Sequence, residues 1–368
     1  MLVAETRGTA YERGRQYGAQ LAEHLRRRAP ARPLRPATAV ADDGDAIAGR
    51  MLRYLERHEP ALPDEMRGLA AGASLPFEAI FHLNVASFVR YVQDFPAGLV
   101  VAASAAASAS SDTGGCSNVA FVSTERGPLL GKTNDGGAPV PRERQSDTWV
   151  LQHTRPDTGP EFFLLAPVGA LAGVAGLNAA GFAVGQSAAQ VVPGQDGSGV
   201  PSNLILRPLL ERCATVGEAI DLLHTRDMAG KGLNLMLLDA AGDVRAAEKS
   251  ARLLGVRAPD DTGTLYFSNH CHTPALSALP PRHDRDNSHR RWAHLQRYFD
   301  PSNGNQPRSE ATMRAVITTH GEGGICQHGP DMFTSLGLVI APRERAMWIA
   351  DGAPCSVPFV EHRLAPTA

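Results

Sequence analysis

No CxxC pair, no apolar run long enough to cross a bilayer and no excess of one charge sign occurs in these 368 residues. Each absence removes a class of protein. The five cysteines (Cys116, Cys213, Cys271, Cys326 and Cys355) are odd in number and widely spaced. That spacing argues against a disulfide framework or a four-thiolate zinc site. Charges and prolines interrupt every apolar stretch, so no spanning helix is expected. A formal charge of −2 points neither to nucleic acid nor to an anionic membrane surface. The opening residues Met1 to Arg7 hold no apolar signal core, and a reducing cytoplasm is the expected compartment. There is no internal repeat. Gly176-Leu177-Asn178-Ala179-Ala180-Gly181 lacks the lysine and serine of a phosphate loop. Adjacent His270, Cys271 and His272 point to opposite faces of an extended chain, and Cys326 with His328 does not suggest a thiol–imidazole dyad. No metal and no cofactor is expected. Local basic clusters such as Arg26-Arg27-Arg28 and Arg290-Arg291 read as solvated helix faces.

What is present is a chain 43% hydrophobic, enough for a large core in one big domain or two ordinary ones. Its first third reads as helical. Thr9, with Glu12 three residues on, caps a helix over 9–28 whose Tyr17, Leu21 and Leu25 recur every four residues. Further helices are expected over 51–58, 63–73 and 76–89, the last with Pro76 near its first turn. A run of small residues over 102–111 reads as a mobile linker. After it the texture changes to strands: 118–124, 129–132, 148–153 and 162–167, then hairpins over 174–185, 234–248 and 335–349. Helices are expected at 202–213, 215–224, 286–299 and 308–319. Hairpin sheets with helices in separate blocks imply an α+β fold with antiparallel sheets.

At the change of texture stands Gly114-Gly115-Cys116-Ser117-Asn118. Nineteen residues after the cysteine comes Asp135, in Gly131-Lys132-Thr133-Asn134-Asp135-Gly136. A cut before Cys116 would give that residue a free α-amine beside its own thiol, so that base and nucleophile belong to one amino acid. A thiol near pKa 8.5 and an α-amine near 8 exchange a proton at little cost around neutral pH, as both are ordinary values. Attack on an amide then gives an oxyanion that needs preplaced donors and an acyl-thioester that water or another amine resolves. Glycine at position 115 suits a strained scissile peptide approached closely.

The chain resembles the autoproteolytic acyl-CoA:6-aminopenicillanic acid acyltransferase family of Ntn-hydrolases. The resemblance rests on Tyr11-Glu12-Arg13-Gly14-Arg15-Gln16-Tyr17-Gly18, on residues 65–73, on Gly115-Cys116-Ser117 and on Gly131 to Asp135. It continues in Gly176-Leu177-Asn178, Ser268-Asn269-His270 and Ile325-Cys326-Gln327-His328. It implies an αββα sandwich and a zymogen cut between Gly115 and Cys116. The pieces, a mostly helical 1–115 and a catalytic 116–368, would remain associated as one αββα domain. By the same resemblance Cys116 is the nucleophile and Asp135 holds the new α-amine. Asn178 and Asn269 are oxyanion donors or thiol-orienting groups, and Lys132, Asn134 and Asp331 contact substrate. Asp331 stands where relatives place an arginine, so that contact is absent or comes from Arg343 or Arg345.

The substrate so implied is a small-molecule N-acyl amide, with acyl-CoA as an alternative acyl source, and neither nucleic acid nor membrane is a partner. Two other functions stay open: an uncut thiol hydrolase using Cys116, and a non-catalytic ligand-binding relative. The joint presence of Cys116, Asp135, Asn178 and Asn269 argues against the last.

Overall fold

The computed structural model describes residues 1–36, 43–94, 115–136, 148–189, 195–279, 286–304, 306–330 and 332–365. The expected linker over 102–111 lies outside them, as does Asp331. Chain order begins with strand β1 (Leu2–Gly8), then helices α1 (Ala10–Gln20), α2 (Ala22–Arg28), α3 (Gly44–His58), α4 (Ala61–Ala73) and α5 (Phe77–Asp94). Next come β2 (Gly115–Phe121), β3 (Leu129–Gly136), β4 (Trp149–Pro156), β5 (Phe162–Pro167), β6 (Ala175–Asn178), β7 (Phe182–Ala188) and short β8 (Val200–Pro201). Helices α6 (Leu206–Arg212) and α7 (Val216–Thr225) lead to β9 (Met228–Ala229), β10 (Leu233–Asp239), β11 (Val244–Ser250), β12 (Leu253–Arg257) and β13 (Thr264–Phe267). Then follow α8 (Pro274–Ser277), α9 (Asp286–Phe299), α10 (Glu310–Ile317), β14 (Phe333–Ala341), β15 (Ala346–Ala350) and β16 (Val360–Arg363).

Two sheets dominate, ordered β1-β4-β5-β6-β7-β10-β11-β12 and β13-β2-β3-β14-β15-β16. Three apolar clusters define the layers. One joins helices α1 to α7 to the outer face of the eight-stranded sheet. A second fills the space between the sheets, and a third seats α9 and α10 on the six-stranded sheet. This is the αββα arrangement of an α+β fold. Strand β10 shows the cause: Leu233, Leu235 and Leu237 join the helical cluster while Met236 and Leu238 join the inter-sheet cluster. A strand covered on both faces reads as a continuous apolar run. Among the described residues no helix is long and apolar enough to cross a membrane.

Thr9 does cap α1, its hydroxyl accepting from the Glu12 amide while Glu12 returns a bond to the Thr9 backbone. The glycines of the two N-terminal motifs also have a reason. A β-carbon on Gly14 would sit 1.9 Å from the Glu65 carbonyl oxygen, and one on Gly68 2.0 Å from that of Tyr11. Gly18 and Gly72 meet the Leu69 and Arg15 carbonyls in the same way, so α1 and α4 touch backbone to backbone as only glycine allows.

The helical first third needs one correction. Residues Leu2–Gly8 form β1, parallel to β4 over seven pairs from Leu2↔Val150 to Gly8↔Pro156. Ala4 and Thr6 turn inward and Glu5 and Arg7 outward, an alternation too short and too charged to stand out.

Candidate active site

Strands β2 and β3 build the site. Their register sets Cys116 opposite Asn134 and Gly115 opposite Asp135. Side chains alternate across a strand. Cys116, Asn118, Lys132 and Asn134 therefore face the eight-stranded sheet, whereas Ser117 and Asp135 face α9. Cys116 is buried, with its Sγ 3.5 Å from Asn134 Oδ1. Asn118 ties the sheets together by donating to Ser187 Oγ at 2.8 Å. Gly185 leaves room for this row, since a β-carbon there would crowd Asn118, Leu130 and the Lys132 stem.

The Cys116 backbone N–H donates to Asn269 Oδ1 at 2.9 Å. Asn269 is fixed on both sides. Its Nδ2 donates to the Ala188 carbonyl at 2.8 Å, which leaves Oδ1 for Cys116, and its backbone N–H donates to Ser288 Oγ at 2.8 Å. His270 Nδ1 also meets Ser288 Oγ, at 2.9 Å.

Arg291 completes the centre. It is fully buried on α9, and its Nη1 donates to the Cys116 carbonyl at 2.6 Å and to Ser117 Oγ at 3.0 Å. Its Nη2 donates to Asn269 Oδ1 at 2.7 Å and its Nε to Asn287 Oδ1 at 2.7 Å. The pair Arg290-Arg291 is thus not a solvated cluster: Arg290 is exposed and Arg291 is the site's cation. The missed signal was spacing, because Ser288, Arg291, Leu295 and Phe299 form the buried stripe of α9.

Asp135 Oδ1 accepts from the Thr334 hydroxyl at 2.6 Å, while its buried Oδ2 has no hydrogen-bond partner among the described residues. Burial pushes its pKa up to about 6, against the pull of Arg291, Thr334 and Lys132. A β-carbon on Gly115 would lie 2.9 Å from Met332 Sδ, 3.3 Å from Asp135 Oδ2 and 3.4 Å from Arg291 Nη2, so a side chain there would crowd all three. Lys132 is fully buried and donates to the Thr133 carbonyl at 3.1 Å. Burial pushes its pKa down; the nearby Cys116 thiol and then Asp135 push it back.

Asn178 requires correction. It lies in the other sheet and faces α6, donating to the carbonyls of Leu210 at 2.9 Å and Cys213 at 2.7 Å while accepting from the Phe182 amide. Both amide hydrogens are spent on holding α6 to the hairpin, and none is left for an oxyanion. Neither hairpin arginine reaches the thiol: Arg343 donates to the Ala240 carbonyl and Arg345 to that of Ala179. A cavity of ≈ 540 Å³ between α5 and the end of β5, lined by Phe88, Tyr91, Asn203 and Lys231 among others, includes none of these site residues.

The model of the acyl-coenzyme A:6-aminopenicillanic acid acyl-transferase family matches residues 122–352, more than half of the chain. The chain belongs to this family. Cys116 stands six residues ahead of the matched stretch, on the strand paired to β3. No curated protein matches the chain. Among solved structures, it is similar to a mutant of conjugated bile acid hydrolase from Clostridium perfringens (TM-score 0.42, 10% identity, covering 68% of this chain and 98% of that one). It is also similar to a Caenorhabditis elegans N-acylethanolamine-hydrolyzing acid amidase ortholog (0.45, 12%, 68% and 100%). A third is penicillin V acylase from Agrobacterium tumefaciens (0.41, 14%, 64% and 83%).

Proposed function

We propose that this family member is a cysteine Ntn-hydrolase that cuts itself between Gly115 and Cys116. It then cleaves or transfers the acyl group of a small-molecule N-acyl amide through a thioester on Cys116. The observation that carries this is the 2.9 Å bond from the Cys116 nitrogen to Asn269 Oδ1, beside a buried thiol. An acceptor already holds the nitrogen that becomes the α-amine.

Self-cleavage needs a base before any α-amine exists. Lys132, with its neutral form favoured by burial, takes the thiol proton. The thiolate adds to the Gly115 carbonyl, next to the Arg291 guanidinium, whose charge offsets the oxyanion. The C–N bond breaks, the nitrogen gains a proton, and water opens the resulting thioester to a Gly115 carboxylate and the free Cys116 thiol. The Asp135 carboxylate, with an unpaired oxygen against Gly115, then has a cation to hold. In turnover the α-amine takes the thiol proton, Asn134 donates to the oxyanion, and the leaving amine departs protonated. Water or a second nucleophile releases the acyl group. The pieces 1–115 and 116–368 stay together because β1 is a strand of the larger piece's sheet and α1 to α5 cover its core.

Intact mass of the expressed chain tests this. Cleavage predicts pieces of 115 and 368 − 115 = 253 residues, the latter beginning at Cys116. Cys116→Ala should abolish both cutting and turnover. The buried lysine also favours a second reading, an uncut thiol hydrolase with Lys132 as its base. It predicts full activity in a single intact species.

A further inference from the structure

A cluster outside the proposed chemistry lies at the same end of the six-stranded sheet. His320, Cys326 and His328 belong to the loop between α10 and β14, and Cys355 to the turn between β15 and β16. One ligand atom from each falls within 4.8 Å of all the others. Cys326 Sγ is 3.4 Å from His328 Nε2 and 3.6 Å from Cys355 Sγ, and His328 Nε2 is 3.2 Å from Cys355 Sγ. Zinc binds thiolate sulfur at about 2.3 Å and imidazole nitrogen at about 2.0–2.1 Å. A tetrahedron with such arms has edges of roughly 3.3–3.8 Å. The three distances sit at or just below that range, as for ligands gathered around one centre. A sulfur pair this far apart is also well beyond bonding distance, which is about 2.05 Å.

We propose that His320, Cys326, His328 and Cys355 form a structural zinc site. Two thiolates and two neutral imidazoles fill all four positions, so the ion takes no part in acyl chemistry. Binding replaces the two thiol protons, which leave to solvent, and the two thiolates neutralise the Zn²⁺ charge. The donor set of two soft sulfurs and two imidazoles selects zinc over the oxygen-seeking cations. This departs from the sequence expectation of no metal. The spacing from His320 to His328 is not that of a recognisable finger, and Cys355 comes from a separate turn.

The position gives the ion a task. Gln327, between two of the ligands, brackets Thr334: its N–H donates to Thr334 Oγ1 at 2.8 Å and its carbonyl accepts the Thr334 N–H at 2.9 Å. Thr334 in turn donates to Asp135. A zinc ion would lock the loop whose Gln327 brackets this hydroxyl.

The test is the metal content of the full chain, purified under reducing conditions without chelator, with Cys355→Ser and His320→Ala beside it. Both altered residues are exposed, so each variant should fold, which circular dichroism verifies. The expected result is about one zinc per chain, falling at least tenfold in Cys355→Ser. Cobalt added to the chelator-treated protein should give the intense visible bands of a tetrahedral thiolate site, lost in both variants. Cys116→Ala should keep the metal, which separates this site from the nucleophile. Zinc-free protein that gives no cobalt bands would overturn the proposal. So would metal retained at full stoichiometry in both variants, or a Cys326–Cys355 disulfide that persists in reductant.

Discussion

Arg291 donates to the carbonyl oxygen of Cys116 at 2.6 Å, across 175 positions of sequence. One guanidinium thereby fixes the backbone of Cys116, the proposed nucleophile, its neighbour Ser117 and the asparagine that holds its nitrogen. Lysine cannot reproduce that fork. Arg291→Lys should slow the appearance of the 253-residue piece by about 10²-fold or more, followed by mass over time. Cleavage at the normal rate would remove Arg291 from the mechanism.

Asn178 predicts the opposite pattern. Asn178→Ala strands two buried carbonyls and one buried amide, at a cost of roughly 2–4 kcal/mol. Urea unfolding of the uncut Cys116→Ala background should show this loss. In the otherwise native chain, turnover per folded molecule should stay within about threefold of normal, because the side chain touches no reacting atom. A collapse of kcat with stability unchanged would restore Asn178 to the site.

Lys132 separates the two stages. Lys132→Met keeps the stem and removes the base. Self-cleavage should slow by about 10²–10⁴-fold, the usual worth of general-base catalysis. Once cut, the α-amine supersedes the lysine, so the processed fraction should lose far less. Equal losses in both rates would make Lys132 merely a positioning group.

The pH dependence follows from Asp135, whose pKa of about 6 lies above the ordinary 3.8. Turnover of the cut enzyme, which relies on the Asp135 carboxylate to hold the α-amine, should fall by up to about tenfold per unit once that carboxylate is protonated, at or below about 6. Stability moves the other way. The native chain holds a proton that the unfolded chain has released between 3.8 and about 6. Asp135 therefore favours folding most at the acid end of that window, and the contribution fades as pH rises through it. Denaturant melts of Cys116→Ala with and without Asp135→Asn, across this range, check the sign.

Much of this fold was legible. Strand β5 and helix α9 occupy the expected residues, and the three expected hairpins form, because each is a local pattern of apolar spacing with turn residues between. Strands β12, β13 and β16 were not foreseen. β16 is a short edge strand of Val360, Glu361, His362 and Arg363, and an edge needs neither length nor an apolar face. In the site, Lys132, Asn134 and Asp135 come from one strand beside Cys116, so a motif could carry them. Arg291 and Asn178 could not be judged locally. Whether a buried polar side chain faces the thiol or a helix end depends on which sheet its strand joins, and only the assembled layers decide that.

The pairing of β1 with β4 has a consequence for the mature enzyme's lifetime. Once the proposed cut is made, Leu2–Gly8 belongs to a different molecule from the sheet it completes. Unfolding then lets two chains diffuse apart, and recovery becomes a second-order encounter that dilution defeats. The precursor can find its fold again unaided; the cut form should lose it for good, so its endurance is set by how slowly it opens.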